Sequence, residues 1–327
     1  MPNPMELIEL CQGHRVFLQT HNYPDPDAIA SAYALQELFK KFDIKATICY
    51  DGTIEKVSTK RMVSMFGIEI IQAADISDMT ERDYIITVDG QKHNSNFTDL
   101  IGDEVACIDH HPTFIPCEYH YKDVQIVGAC STIVASYFKE LKIKPNKNVA
   151  TALVYGIKMD TSDFIRGGTE LDSDMFAFLF PKSDRSKIVQ LYSNVMEVQD
   201  LKAYATAIDN IRIFDRCGFA VLNYDCPDAI IATISDFILS LDVVEVSVVY
   251  SVREDGLKFS VRSEIDQLDA GKLIYEVLKD YGGGGGHKTM AGGFIPNEGI
   301  TRIGSDYPQK LESMFLSQLE KMLAVTV

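Results

Sequence analysis

EVACIDHHP, Glu104 to Pro112, sets an apolar rise directly against a carboxylate and two adjacent imidazoles. The rise has the length and composition of a buried strand, and burying Asp109, His110 and His111 at its end is costly unless something satisfies them. Alone the triplet is weak, because an exposed turn or a strand end with satisfied histidines reads the same way. The segments upstream repeat it. HRVFLQTHN, KATICYDG, IEIIQA and RDYIITVDG are further apolar runs, and the helical patterns DAIASAYALQELFKKF and IEKVSTKRMVSMFG separate the first three. Alternation of strands and helices predicts an α/β domain with a largely parallel sheet.

Beyond that domain the pattern turns helical from Ser131 to about Pro181, with Ser131 as a helix cap and Pro145 opening the next helix. IRIFDRCGFAVLNYD, VVEVSVVYSV and LKFSVRSE then read as strands among helices near 227–241 and 269–280, with a closing helix from Leu311 to Leu323. The expected organisation is a catalytic domain over 1–185, a helical linker over 186–213, and a smaller α+β domain over 214–327.

Composition narrows the class. The 327 residues are 46% hydrophobic, with mean hydropathy of −0.01, as in a soluble globular protein. No apolar run approaches the roughly 18 residues of a membrane span, and MPNPMELIELCQGHRV has no basic head before an apolar segment, so no signal peptide is expected. Seven cysteines form no CxxC pair and several lie in apolar strands, which reads as reduced core thiols of a cytoplasmic protein. A net charge of −16 argues against sequence-blind binding of duplex DNA, which needs a basic face. It leaves room for a short nucleotide held by a few local cations.

Polar residues collect at the strand ends. The first strand runs into His21, Asp25 and Asp27, another into Asp89, and EVACIDHHP into Asp109, His110 and His111. In open α/β sheets the binding crevice lies at the carboxyl ends of the strands. Asp160 follows the apolar helical run VATALVYGIKM, which would deliver it inward. Singly, Asp25 and Asp27 could cap the next helix, Asp89 could be a turn residue before Gly90, and Asp163 reads as a solvent group. Together these carboxylates and imidazoles would repel and desolvate one another without cations. Mixed carboxylate and imidazole donors without thiolates suit Mn²⁺, with Mg²⁺, Co²⁺ or Zn²⁺ as less selective occupants. A pair of such ions binds phosphate esters and activates water, and Asp89 is the candidate to bridge them.

The C-terminal half adds YGGGGGHKTMAGGF, where Gly284, Gly285 and Gly286 could bring backbone N–H groups onto an anion, with His287 following at once. The alternative is a flexible linker. FSVRSE offers Arg262, whose planar fork suits phosphate, and Ser263.

These residues together resemble the DHH phosphoesterase family with its C-terminal DHH-associated domain. HNYPDPDAIAS matches the first motif, VDG the second, IDHHP the third and Asp160 the fourth, while RSE and GGGGGHKTMAGG match the C-terminal domain. The resemblance spans nearly the whole chain. It implies two domains facing each other across a substrate cleft and a two-metal centre. His21 and Asp25 would hold one ion and Asp27, His110 and Asp160 the other, with Asp89 between them. His111 would contact phosphate, Asp109 would orient a neighbouring ligand, and Arg262, Ser263, the glycine run and His287 would grip the substrate.

Size and domain pairing are similar to the oligoribonuclease/pAp phosphatase branch, whose substrates are short RNA, pAp and linear or cyclic dinucleotides. TSDFIRGGTE after Asp160 and a fifth glycine depart from the usual pattern, and Arg166 is either a substrate contact or a loop cation. The expectation is therefore a metal-dependent phosphoesterase of short nucleotides. Its rivals are an inorganic pyrophosphatase or polyphosphatase and a non-catalytic nucleotide-binding regulator. The resemblance also implies a homodimer paired through the N-terminal domain.

Overall fold

The strands of the first half run Val16–Thr20 (β1), Ala46–Tyr50 (β2), Ile70–Gln72 (β3), Tyr84–Val88 (β4), Asp103–Asp109 (β5) and Tyr121–Val124 (β6). They form one sheet in the order β3-β2-β1-β4-β5-β6, parallel throughout. The order reverses between β1 and β4, and the crevice beyond the carboxyl ends at such a reversal is where α/β sheets bind ligands. The helices of this half are Pro4–Cys11 (α1), Pro26–Phe39 (α2), Val57–Phe66 (α3), Cys130–Glu140 (α4), Lys147–Asp160 (α5), Glu170–Leu179 (α6) and Arg185–Tyr192 (α7). The central strands are buried on both faces, so β1 and β4 read as continuous apolar runs. β6 escaped the sequence reading because Lys122 and Asp123 interrupt its four residues; Tyr121 and Asp123 are nonetheless buried, and Asp123 accepts the Tyr137 hydroxyl at 2.7 Å.

This computed structural model describes residues 2–54, 56–193, 196–198 and 200–324. The chain divides into two compact units, Met1–Val195 and Met196–Val327. The stretch expected as a linker is itself divided. α7 buries Ile188 and Leu191 in the core of the first unit, and Asp200–Asn210 (α8) buries Ala203 and Ala207 in the second.

The second unit holds Arg212–Phe214 (β7), Cys217–Leu222 (β8), Asp228–Leu239 (α9), Val246–Val252 (β9), Gly256–Ser263 (β10), Ala270–Leu278 (α10), Gly283–Gly286 (β11), Met290–Pro296 (β12), Asn297–Ile303 (α11) and Tyr307–Ala324 (α12). Its sheet order is β11-β12-β10-β9-β8-β7, with β8 and β9 parallel and the other neighbours antiparallel. Leu257, Phe259 and Val261 of β10 join the core cluster that includes α10 and α12 residues, while Ser260 and Arg262 alternate to the other face, where α9 packs. The glycine run, for which a flexible linker is the alternative from sequence, is largely the edge strand β11.

Candidate metal centre

β1, β4 and β5, with the start of α2 and the end of α5, deliver polar residues to the switch point. His21 follows the last residue of β1, Asp89 follows β4 in the left-handed conformation (φ 59°), and Asp109 ends β5. Backbone strain of this kind concentrates at functional sites, and the Asp89 N–H donating to Ile108 O at 2.9 Å holds it in place. Asp25 caps α2, one carboxylate oxygen accepting the N–H groups of Asp27 and Ala28 at 2.8 and 3.1 Å. The cap and the ligand readings of Asp25 are thus compatible, because the second oxygen takes no part in the cap.

Three clusters of donor atoms come together: His21, Asp25 and Asp89; Asp27, His110 and Asp160; and Asp89 with Asp109, His110 and His111, the atoms within each lying inside 4.8 Å of one another. Asp89 belongs to the first and third, and its Oδ1 lies 3.2 Å from His110 Nε2 of the second.

Hydrogen bonds orient all three imidazoles alike. Nδ1 of His21 faces Asn22 O at 2.8 Å, Nδ1 of His110 faces Val127 O at 3.0 Å, and Nδ1 of His111 faces Asp109 Oδ1 at 2.8 Å. A proton on each Nδ1 leaves the Nε2 lone pair as the outward donor. For His110 that lone pair confronts Asp89 Oδ1 and Asp160 Oδ2, both at 3.2 Å; for His21 it confronts Asp89 Oδ2 at 3.6 Å. Asp89 Oδ1 is buried and has no aligned hydrogen bond among the described residues. A lone pair facing carboxylate oxygens requires a positive charge between them.

The electrostatics say the same. Burial, then the charge of Asp89, pushes Asp27 up to about 7. Burial, then Asp27 and Asp25, pushes Asp160 up to about 9. At His110 burial disfavours the charged ring, but contact with Asp89 and its charge raise it to about 11. Burial opposes ionisation of Asp89 as well, yet His110 outweighs it and holds that carboxyl down at about 2. The cluster must be neutralised, either by protons, as these shifts describe, or by divalent cations that displace them. Oxygen and imidazole donors in this number fit such cations.

Several supporting residues were not singled out from the sequence. Gln91 donates to Asp109 Oδ2 at 2.7 Å and to His111 O at 3.1 Å, bracing the triplet from within the core. Both oxygens of Asp27 accept helix N-terminal N–H groups, Cys130 at 2.7 Å and Ser131 at 2.9 Å, so Asp27 caps α4, whose own N-cap Ala129 cannot. Gly156 of α5 leaves room for this: a Cβ there would overlap Ser131 Oγ and stand 3.0 Å from Asp27 Oδ1. The glycine within VATALVYGIKM was the only local signal, since the contacts come from α2 and α4. Arg166 lies in the loop after α5, its N–H donating to Thr161 O at 2.9 Å.

In the second unit, Arg262 is 9% exposed and donates through Nε to Asp236 Oδ1 at 2.8 Å and through Nη1 to Ser260 Oγ at 3.0 Å. It lines a cavity of about 320 Å³ with Lys258, Gly286 and Met290. Ser263 alternates to the opposite face from Arg262, and its hydroxyl accepts the Ile265 N–H at 3.1 Å. Gly284 likewise packs toward Ile274 of α10, Gly285 lies in β11 with open space where a Cβ would be, and His287 is exposed just after the strand.

The chain matches the DHH family, N-terminal domain, over residues 15–157 and the DHHA1 domain over residues 216–321. It is 30% identical over 293 residues to the uncharacterized protein MJ1633 of Methanocaldococcus jannaschii, a match covering 89% of this chain and 60% of that protein. It is 29% identical over 151 residues to the probable manganese-dependent inorganic pyrophosphatase of Streptococcus equi subsp. zooepidemicus, covering 45% of this chain and 48% of that one. An exopolyphosphatase-related protein from Bacteroides fragilis superimposes with a TM-score of 0.76 at 19% identity, over 97% of this chain and 94% of that chain. The exonuclease RecJ bound to manganese does so with a TM-score of 0.53 at 13% identity, over 95% and 92%. Both show a shared fold.

Proposed function

The chain belongs to the DHH family, and from that premise we propose that it is a divalent-metal-dependent phosphoesterase hydrolysing short nucleotides such as nanoRNA, pAp or dinucleotides. The observation that carries the reading is the facing of His21 and His110 Nε2 toward the oxygens of Asp89 and Asp160. His21 and Asp25 would hold one ion, Asp27, His110 and Asp160 a second, and Asp89 would bridge them. Manganese is the favoured metal, on the donor set and on the name of the pyrophosphatase relative. Bound cations of this kind supply Lewis acidity toward phosphoryl oxygens and acidify water at neutral pH.

The remaining steps belong to the protein. Asp109, fixed by Gln91, holds the His111 ring so that Nε2 is the atom offered to a substrate, and the His111 side chain is 41% exposed. His111 would thus contact a phosphate oxygen and bear developing charge, a role for a group touching the reacting centre. Arg262 would bind a second phosphate or the sugar edge. The planar fork is already oriented by Asp236 and Ser260 and lines a cavity with Lys258 and Gly286.

Incubation of the Mn²⁺-loaded protein with pAp, pApA, short RNA, a cyclic dinucleotide and pyrophosphate in parallel tests the reading. Hydrolysis of one or more nucleotides ahead of pyrophosphate is expected. Turnover of pyrophosphate alone would replace it with the pyrophosphatase alternative, and no turnover of any would leave a binding protein.

A further inference from the structure

The first unit carries an aromatic ring that the proposed chemistry does not use. Tyr23 stands two residues after His21 and two before Asp25, so its Cα lies within roughly 7 Å of each along the chain. It is 58% exposed. Its backbone adopts φ 58°, a region non-glycine residues seldom occupy. Hydrogen bonds hold it there: the Tyr23 N–H donates to Asp51 O at 3.2 Å and the Asn22 N–H to Asn96 O at 2.7 Å. Side chains brace the same turn, with Asn22 Nδ2 donating to Thr98 Oγ1 at 3.0 Å and Thr98 Oγ1 to Asp51 Oδ2 at 2.6 Å. The ring itself rests on Gly52 beyond the end of β2, where a Cβ would stand only 2.9 Å from a ring carbon.

Singly exposed tyrosines are common. This one is distinguished by being fixed at the backbone, backed by a glycine and left open to solvent beside a metal-ligand cluster. β2 neighbours β1 in the sheet, so the ring on Gly52 lies at the carboxyl edge on the β2 side of β1, next to the switch point between β1 and β4.

Resting on the phosphoesterase reading above, we propose that Tyr23 is a stacking platform for a nucleobase of the substrate. The first unit thereby selects nucleotides over bare phosphate anions by itself. A nucleoside whose phosphate sits at the centre carries its base one ribose away, and Tyr23 stands two residues from both His21 and Asp25 in the chain. Because the backbone turn is held and the ring packs on Gly52, stacking costs little side-chain entropy. Base–aromatic stacking tolerates every base, so Tyr23 would favour nucleotides as a class and not one sequence.

The test compares pApA with its abasic analogue, which has the same phosphates and riboses, by equilibrium binding and by hydrolysis. Wild type, Tyr23→Phe and Tyr23→Leu are used, with Mn²⁺ affinity measured by calorimetry for each. Leucine keeps apolar cover over Gly52 but has no flat π face. The expected result is that Tyr23→Leu weakens pApA binding and raises its KM by roughly tenfold or more. The preference for pApA over the abasic analogue collapses, while Tyr23→Phe retains it. Survival of the base preference in Tyr23→Leu overturns the proposal, as does equal weakening of both ligands or a loss of Mn²⁺ affinity, which would make Tyr23 a brace of the turn. If wild type prefers pApA but hydrolyses nothing, the phosphoesterase reading fails and the stacking platform stands. If it hydrolyses both ligands alike, the platform fails and the reading stands.

Discussion

His110 meets two demands at once. One ring nitrogen is taken by Val127 O, and the other faces two carboxylate oxygens at 3.2 Å. His111, the next residue, instead braces itself on Asp109 and stays half exposed. His110→Ala is therefore expected to weaken Mn²⁺ binding, with activity partly restored by excess metal. His111→Ala should keep its metal content and lose turnover. Elemental analysis after gel filtration separates the two, and equal metal loss in both would contradict the division. Asp89→Asn keeps a side chain that tolerates the left-handed backbone but removes the bridging charge. Turnover at saturating Mn²⁺ should fall by about a thousandfold or more with little change in Tm; near-normal turnover would remove Asp89 from the bridge. The raised Asp27 and Asp160 also predict how binding follows pH. Burial and neighbouring carboxylates favour the protonated form of both in the metal-free protein, Asp160 more than Asp27, so Mn²⁺ must expel the protons they retain near neutral pH. Affinity should rise as pH increases from about 6 through 9, and the calorimetric enthalpy should vary with the ionisation enthalpy of the buffer, showing proton release. A buffer-independent enthalpy would show that the carboxyls are already ionised.

At the scale of elements, α2, α4 and α5 meet where Asp27 caps α4 from outside it. Gly156→Ala should push Ser131 and Asp27 apart, costing about 1–3 kcal/mol by overpacking. It should also weaken Mn²⁺ binding although residue 156 is no ligand. Adding Ser131→Ala, which removes the hydroxyl in the way, should recover part of both losses, measured by thermal melts and metal titration. A neutral Gly156→Ala would show that the helices can separate without moving Asp27. This junction was not legible in the sequence, because α2 meets α4 and α5 from about a hundred residues away in the chain. The glycine strand β11 was missed for a related reason. Glycine carries no strand signal of its own, and Gly283–Gly286 becomes a strand only because β12 pairs with it.

For the whole molecule, each unit has its own apolar core. The donor clusters found among the described residues lie in the first unit and Arg262 in the second. Arg262→Ala should raise KM for pApA by roughly ten- to hundredfold through loss of a charge-assisted contact. Mn²⁺ content should not change. A small ester such as bis-p-nitrophenyl phosphate serves as the comparison, and an equal loss on it would assign Arg262 to the fold or the chemical step.

The α/β class and the gathering of His21, Asp89 and His110 at strand ends were readable from sequence alone. Apolar runs and the polar residues that end them are local properties, and a parallel sheet aligns its carboxyl ends. The pairing partners of those residues were not readable. That Gln91 braces Asp109, that Asp27 spends both oxygens on α4, and that Ser263 turns away from Arg262 depend on register and on which helices pack together. Those are decided by long-range packing, where the cost of an unsatisfied buried group selects one arrangement that no local pattern encodes.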